Sequence, residues 1–184
     1  MGLLTFALNV TLDGCQDHRA GIADDELLGW FTRLMDAAGA VLFGRVTYEL
    51  MESAWPAVAR DEKASPVMRE WARKLEAKPK YVVSASRRDF PWDNTFRLEG
   101  DLHEAVTRLK EEFPSGVLVG APALSTALEQ LGLIDDYRIV LHPILAGHGP
   151  TVFHGLERSR RLELVSTERL TSGVLALHYR RQQG

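Results

Sequence analysis

Three short stretches of this chain gather residue types that bind phosphate. Gly44-Arg45-Val46-Thr47 sets a guanidinium and a hydroxyl at a glycine turn where a helix begins. Ser84-Ala85-Ser86-Arg87-Arg88 sets hydroxyls and guanidiniums directly after the apolar run Tyr81-Val82-Val83. Gly120-Ala121-Pro122-Ala123-Leu124 follows the apolar run Val117–Val119 and opens a helix with Leu124, Leu128 and Leu131 on one face. The first amides of a helix have no intrahelical acceptor, and the helix dipole adds positive potential there, so such a turn attracts an anion. At the third stretch Pro122 suits the first helical position, while Ala121, the residue before it, has no side-chain oxygen to act as a cap. The amides of Ala123, Leu124 and Ser125 are then uncapped from that position. This chemistry matches a pyrophosphate at Gly120–Leu124, a phosphate beside Arg45 and Thr47, and a ribose 2′-phosphate near Ser84 and Arg87. Each stretch also has a plain structural reading: a tight strand-to-helix connection, a surface or ion-paired arginine, a charged loop.

The elements around them alternate. Leu3–Thr11 reads as a central strand ending in the turn Thr11-Leu12-Asp13-Gly14, and the polar segment from Cys15 to Ala23 as a loop that could cover a site. A helix starts at Asp24 or Asp25, with Leu27, Leu28, Phe31, Leu34 and Met35 on its apolar face, and stops at Gly39. Ala40–Phe43 is a buried strand. Trp55 to Ser65 reads as a polar loop broken by Pro56, after which Ser65 caps a helix carrying Met68, Trp71, Ala72 and Leu75. Lys80–Ser84 is a strand and Thr95–Leu98 a brief extended piece. Asp101 and Glu104 form a capping pair for the next helix. Ile134–His142 is a strand continued by Pro143-Ile144-Leu145. Two alternating strands, one led by Leu162 and Leu164 and one with Leu175, Leu177 and Tyr179 on a face, turn at Thr171-Ser172-Gly173. The pattern predicts an α/β domain: a mainly parallel sheet that brings its strand ends to one edge, with an antiparallel hairpin at its margin.

The 184 residues suit one domain, 1–184, and 45% hydrophobic content suits a folded core. A net charge of −3 argues against a broad nucleic-acid footprint, and the cluster Arg158, Arg160, Arg161 is too short to reverse this. Cys15 is the only cysteine, which excludes an internal disulfide or a cysteine zinc site and suits a reducing cytoplasm. The N-terminus shows no signal-peptide pattern and no apolar run reaches a membrane span. His142, His148 and His154 are separated by proline and glycine and share no face, so no metal site is expected. There is no GxGxxG, no P-loop and no Gly-x-Ser-x-Gly elbow.

Four motifs in order, Thr11-Leu12-Asp13-Gly14, Gly44-Arg45-x-Thr47, Ser84 and Gly120-Ala121, resemble the dihydrofolate reductase superfamily over nearly the whole chain. The likeness is greatest to the reductase domain of the bacterial riboflavin-biosynthesis deaminase–reductase and its stand-alone relatives. Gly132-Leu133-Ile134-Asp135-Asp136 and His142-Pro143-Ile144-Leu145-Ala146-Gly147-His148-Gly149-Pro150 carry it further. The resemblance implies a three-layer fold with helices on both faces of the sheet, an NADPH site, a small-molecule substrate and a homodimer. Carried over by position, it implies that Val10 meets the nicotinamide through its backbone. Gly44, Arg45 and Thr47 would hold cofactor phosphates, with Ser84 near the adenine ribose phosphate and Gly120 and Ala121 under the pyrophosphate.

Two positions depart from the pattern. Dihydrofolate reductase has a substrate-binding Asp three residues before a Trp-Phe pair; here the pair is Trp30-Phe31 and the position is Leu27. The riboflavin reductase has a substrate-contacting Glu just before its paired glycines; here it is Val119. The expectation is therefore an NADPH-dependent reductase of a small heterocyclic, carbonyl or imine compound, the alternative being a nucleotide-binding module without turnover. Asp13 is the candidate polar group near the nicotinamide, or else an ordinary turn residue. Asp25 and Glu26 are candidates for the substrate mouth, and Tyr48 either lines the pocket or packs.

Overall fold

The structure is a computed structural model and describes residues 1–182. The strands are β1 (Leu4–Thr11), β2 (Ala40–Gly44), β3 (Lys80–Val83), β4 (Thr95–Arg97), β5 (Val117–Val119), β6 (Asp136–His142), β7 (Leu162–Arg169) and β8 (Leu175–Arg181). The helices are α1 (Asp25–Ala37), α2 (Arg45–Val58), α3 (Pro66–Ala77), α4 (Leu102–Glu112) and α5 (Pro122–Gln130). One eight-stranded sheet has the order β4-β3-β2-β5-β1-β6-β8-β7. β4 through β6 are parallel neighbours, and β8 and β7 close the far side antiparallel. This is the mixed α/β sheet with the antiparallel margin that the alternation predicts.

Each face of the sheet is covered by helices. On one, Val106 and Leu109 of α4 and Leu128 of α5 pack on Leu4, Phe6, Leu42, Val117 and Val119. On the other, Met35 of α1, Tyr48 of α2, and Trp71 and Leu75 of α3 pack on Ala7, Val41, Phe43, Val82 and Leu118. The capping reading holds at residue level. Asp24 accepts from the Leu27 amide at 2.8 Å, Ser65 from Met68 at 3.2 Å and Asp101 from Glu104 at 3.1 Å.

Three details differ from the sequence reading. Residues 55–58 are helical: α2 runs through Trp55 and Pro56 to Val58. Pro56 sits in the last turn and lacks only its own amide, while Trp55 is drawn inward against Trp71, ring centroids 5.9 Å apart. Tertiary packing overrides the breaker. Second, β6 stops at His142, because Pro143 has no amide to give and the Ile144 amide turns back to the His142 carbonyl at 2.8 Å. Third, the strand read from Ile134 starts at Asp136. On β8, Leu175, Leu177 and Tyr179 share one face as read, and the buried Ala176 and His178 lie on the other.

Lys80, buried completely at the start of β3, ties a helix end to the sheet. Its ammonium donates to the carbonyls of Leu75 (3.0 Å), Glu76 (2.9 Å) and Lys78 (2.9 Å), which α3 leaves free, and lies 4.7 Å from the Trp92 ring centre. Burial pushes its pKa down to about 8, against the pull of Glu76 and Asp93. Lys80→Met strands three buried acceptors and should cost about 2 kcal/mol. In a chain of this size that lowers the thermal midpoint by roughly 4–8 °C, measured by calorimetry.

Candidate functional site

The three phosphate-type stretches meet because β3, β2 and β5 are adjacent and parallel. Gly44 pairs with Val83, so Ser84 emerges beside the start of α2. Leu42 pairs with Val119, so Gly120 emerges on the other side of that start. A methyl placed on Gly44 would be 3.9 Å from the Cβ atoms of both Ala121 and Leu124. The N-termini of α2 and α5 are therefore neighbours at one sheet edge.

Neither start carries a side-chain cap: Gly44 and Ala121 are the N-cap residues and neither makes such a bond. The α5 amides get no side-chain cap, as expected, but those of Leu124 and Ser125 both turn back to the Ala121 backbone carbonyl at 3.0 Å. The Ala123 amide has no partner among the described residues. Ala121 itself is buried, its methyl in the core. Arg45 pairs with Glu49 at 2.9 Å. Arg87 pairs with Glu52 at 2.9 Å and reaches toward the same Glu49 at 3.7 Å, so one carboxylate stands between two guanidiniums. The Ser84 hydroxyl accepts from the Arg87 amide at 2.9 Å, which folds the loop after β3 back over the sheet edge.

Beside this edge opens a cleft of about 620 Å³, the size of a small-molecule site. Leu28, Phe31 and Met35 of α1, Leu50, Met51 and Trp55 of α2, and Trp71 of α3 give it apolar walls. Thr47, Gly120, Pro122 and Ala123 also line it, so the cleft touches both helix starts. β1 supplies the floor with Ala7, Leu8 and Asn9. Its pairing with β5 ends at Phe6, while its pairing with β6 continues to Thr11. The strand edge from Leu8 onward is therefore open on the β5 side, but Val10 itself is buried and is not among the residues that line the cleft.

Gln16, Asp17 and His18 line the cleft from the loop after β1, as the covering role predicts. Cys15 bridges to Thr151, and the Gln16 amide donates to the Pro150 carbonyl at 3.0 Å. Gly149 is required there: its φ is +88°, and a Cβ would lie 2.6 Å from the Cys15 sulfur. Asp17 is held by Arg19 through Nε at 3.0 Å and Nη2 at 2.7 Å, which keeps its pKa far below the usual carboxylate range. Deeper in, His142 is buried; its Nδ1 accepts from the Ile22 amide at 3.0 Å and its Nε2 lies 3.0 Å from Asn9 Oδ1.

The remaining expected residues stand elsewhere. The Asp13 carboxylate accepts the Thr11 hydroxyl and the amides of Gly147 (2.7 Å) and Ala146 (3.1 Å); these bonds, the Thr11 one foremost, bring its pKa down to about 2. It clamps two loops and is not part of the cleft wall. Asp25 accepts the Ser65 hydroxyl at 3.1 Å and Glu26 the Thr171 amide at 2.9 Å. Both point outward from α1, and neither reaches the cleft, whose side of the helix belongs to Leu28 and Phe31. Tyr48 is fully buried behind the wall, donating to Glu52 at 2.8 Å with the Arg87 guanidinium 5.0 Å from its ring centre. It supports an arginine and does not line the pocket. Asn9, Gln16 and Trp55 went unread as site residues; only the polar Asn9 inside an apolar strand was a usable signal. Among the described residues no three metal-ligating side chains gather.

The sheet order, the two helical layers and the edge cleft define a dihydrofolate-reductase-like α/β protein. The chain belongs to the RibD C-terminal domain family, whose model matches residues 3–176. YyaP of Bacillus subtilis, an uncharacterized protein, is 28% identical over 94% of this chain and 91% of its own. A Shewanella sp. PV-4 protein ascribed to riboflavin biosynthesis superposes over all of both chains with a TM-score of 0.77 at 21% identity. Dihydrofolate reductase from Enterococcus faecalis, complexed with NADP(H), superposes with a TM-score of 0.64 at 13% identity, over 99% of this chain and 98% of its own. Family and fold together support a reductase-type function.

The buried His142 predicts a pH effect. Burial pushes its pKa below the ordinary 6.5, with Asp24 opposing. The unfolded chain then binds the proton more readily than the folded one as the pH drops below 6.5, so folding stability falls in that range. Urea midpoints should decline from neutral pH toward acid, and more steeply than in His142→Phe, which lacks this titration.

Proposed function

We propose that this chain is an NADPH-dependent reductase of a small heterocyclic, carbonyl or imine compound. The observation that carries the reading is the meeting of two uncapped helix N-termini, with Arg45 and Arg87 beside them, at the mouth of an apolar cleft. The α5 start, with Gly120 to Leu124, suits a pyrophosphate; the α2 start, with Arg45 and Thr47, suits a further phosphate; Ser84 and Arg87 suit a ribose 2′-phosphate. The open β1 edge at Leu8 and Asn9, next to the buried Val10, suits the flat nicotinamide amide. Bound NADPH would supply the hydride at that edge. The chain orients the acceptor against the Phe31 and Trp55 walls and keeps water out. Its inner wall holds no unpaired carboxylate, so the proton enters from solvent at the rim formed by Gln16, Asp17 and His18.

A homodimer is part of the reading. All of β7 is exposed, with Leu162, Leu164 and Val165 on an unpartnered edge strand, a surface that suits a second copy. A single, buried thiol suits a reducing compartment, and the reading puts the protein in the cytoplasm. The rival reading, a nucleotide-binding module without turnover, draws on the same missing carboxylate.

Fluorescence titration with NADPH, NADP and NADH tests the cofactor, and NADPH consumption over a panel of pterins, flavins and small ketones tests turnover. Arg45→Ala and Arg87→Ala should each weaken NADPH about tenfold, the loss of one charge-assisted contact, and Arg87→Ala should spare NADH. Glu49→Gln should tighten NADPH, because it removes the carboxylate that competes for both guanidiniums. No dinucleotide binding at millimolar concentration defeats the reading; binding without consumption of any acceptor favours the rival.

A further inference from the structure

We propose that Asn9 selects what the cleft accepts: its side-chain NH2 is locked as a donor facing the cleft and takes a flat, uncharged ring compound through an acceptor atom, a carbonyl oxygen or an unprotonated ring nitrogen. This rests on the cleft being the substrate site, as proposed above.

The orientation of the amide follows from its neighbours. A backbone N–H can only donate, so the Ile22 amide, 3.0 Å from His142 Nδ1, requires that nitrogen to be the acceptor. The ring proton is then on Nε2, which must donate. Its partner at 3.0 Å is Asn9, and only the amide oxygen can receive that proton. Turning the Asn9 amide over would set NH2 against N–H, two donors with no acceptor in a buried place, a loss that fixes the rotamer. His142 is itself immobile: it is buried, and Gly21 passes so close that an added Cβ would lie 3.2 Å from the imidazole. The chain Ile22 N–H to His142 to Asn9 thus ends in two N–H donors. They have no hydrogen-bond partner among the described residues, and Asn9 lines the cleft.

The surroundings set the ligand class. Phe31, Met51, Trp55 and Trp71 offer flat apolar contact and nothing to solvate a charge. Asp17, the lining carboxylate, is already occupied by Arg19. Asn9 is consequently the group on the floor that can read polarity, and it reads acceptors. On α1, Leu27 and Leu28 leave no acid to receive a donor-rich ring, so the preference is opposite in sign to that of a carboxylate-floored pocket.

Quinoline and indole test this, since both are flat, bicyclic and neutral at neutral pH. Quinoline offers one ring acceptor and no donor, indole one donor and no acceptor. Calorimetric or NMR titration of the wild-type chain should favour quinoline by about tenfold, the worth of one hydrogen bond that leaves its partner unpaired when missing. In Asn9→Asp one carboxylate oxygen still accepts from His142 while the other faces the cleft, so the preference should reverse toward indole. In Asn9→Leu it should vanish while both ligands still bind. Thermal unfolding and the NADPH dissociation constant of each variant report whether the fold and cofactor site survive. An unchanged preference in folded Asn9→Asp, or no binding of either probe at millimolar concentration, overturns the proposal. NADPH binding and acceptor reduction in the wild type then decide separately whether the reductase reading falls with it.

Discussion

A parallel strand that hands its chain to a helix leaves that helix's first amides at the carboxyl edge of the sheet, and at two adjacent strands here no side chain closes them. The amides cannot all be served from within. Those opening α5 are served in part by the Ala121 carbonyl, which leaves the Ala123 amide without a partner among the described residues, and Gly44 has no side chain to cap α2. Because β2 and β5 are neighbours, the two positive helix ends add at one point. The rest of the molecule conforms to this. β1 runs beyond β5 to form a floor, α1 to α3 wall one side, and the loops 15–18 and 149–151 zip together over the rim.

Between β1 and α1, polarity facing the cleft sits on the strand and not on the helix. Successive residues of α1 are turned by about 100°, so a shift of one or two positions changes what a carboxylate can touch. Asp25 and Glu26 consequently serve α3 and the β7–β8 turn, while Leu27 packs against Trp30, Val140, Leu170, Val174 and Ala176 and Leu28 meets the cleft. The floor residue Asn9 faces the same side of the sheet as Ala7, and its amide is set by a histidine on the neighbouring strand. A neutral amide in place of an acid removes the need to desolvate a charge against Phe31 and Trp71, which suits so apolar a pocket.

The sheet and most of its helices were legible because their signals are local. Asp24, Ser65 and Asp101 cap where their types and spacing say, and Val117–Val119 reads correctly to the residue. The convergence of Gly44, Ser84 and Gly120 was legible too, since parallel strands leave little choice of edge. What failed depended on three-dimensional partners. The helicity of Trp55 comes from Trp71, a contact no local pattern carries. Asp13 looks like a free carboxylate until the loop after β6 brings the Ala146 and Gly147 amides to it. Asn9 acquires meaning only through His142, 133 positions away in sequence.

The ion pairs around Glu49 are compatible with an anion site and not an obstacle to one. Arg45 and Arg87 would repel each other at the same edge, and Glu49, 2.9 Å from one and 3.7 Å from the other, relieves that repulsion. Arg45 and Glu49 are both more than a third exposed, and pairs so placed are worth about 0–1 kcal/mol. A phosphate bound as proposed would meet the same guanidiniums with more charge and more acceptor oxygens, and would gain the helix amides that Glu49 does not use. The carboxylate therefore competes for the arginines only weakly, and exchanging it for a phosphate would cost little. Arg87 is prepared further, its guanidinium lying over Tyr48 and Phe90 and its Nε donating to the Asp89 carbonyl at 2.7 Å. An arginine already ordered loses less conformational entropy on meeting a ligand, so in the proposed reading the buried Tyr48 would contribute to recognition without touching what is recognised.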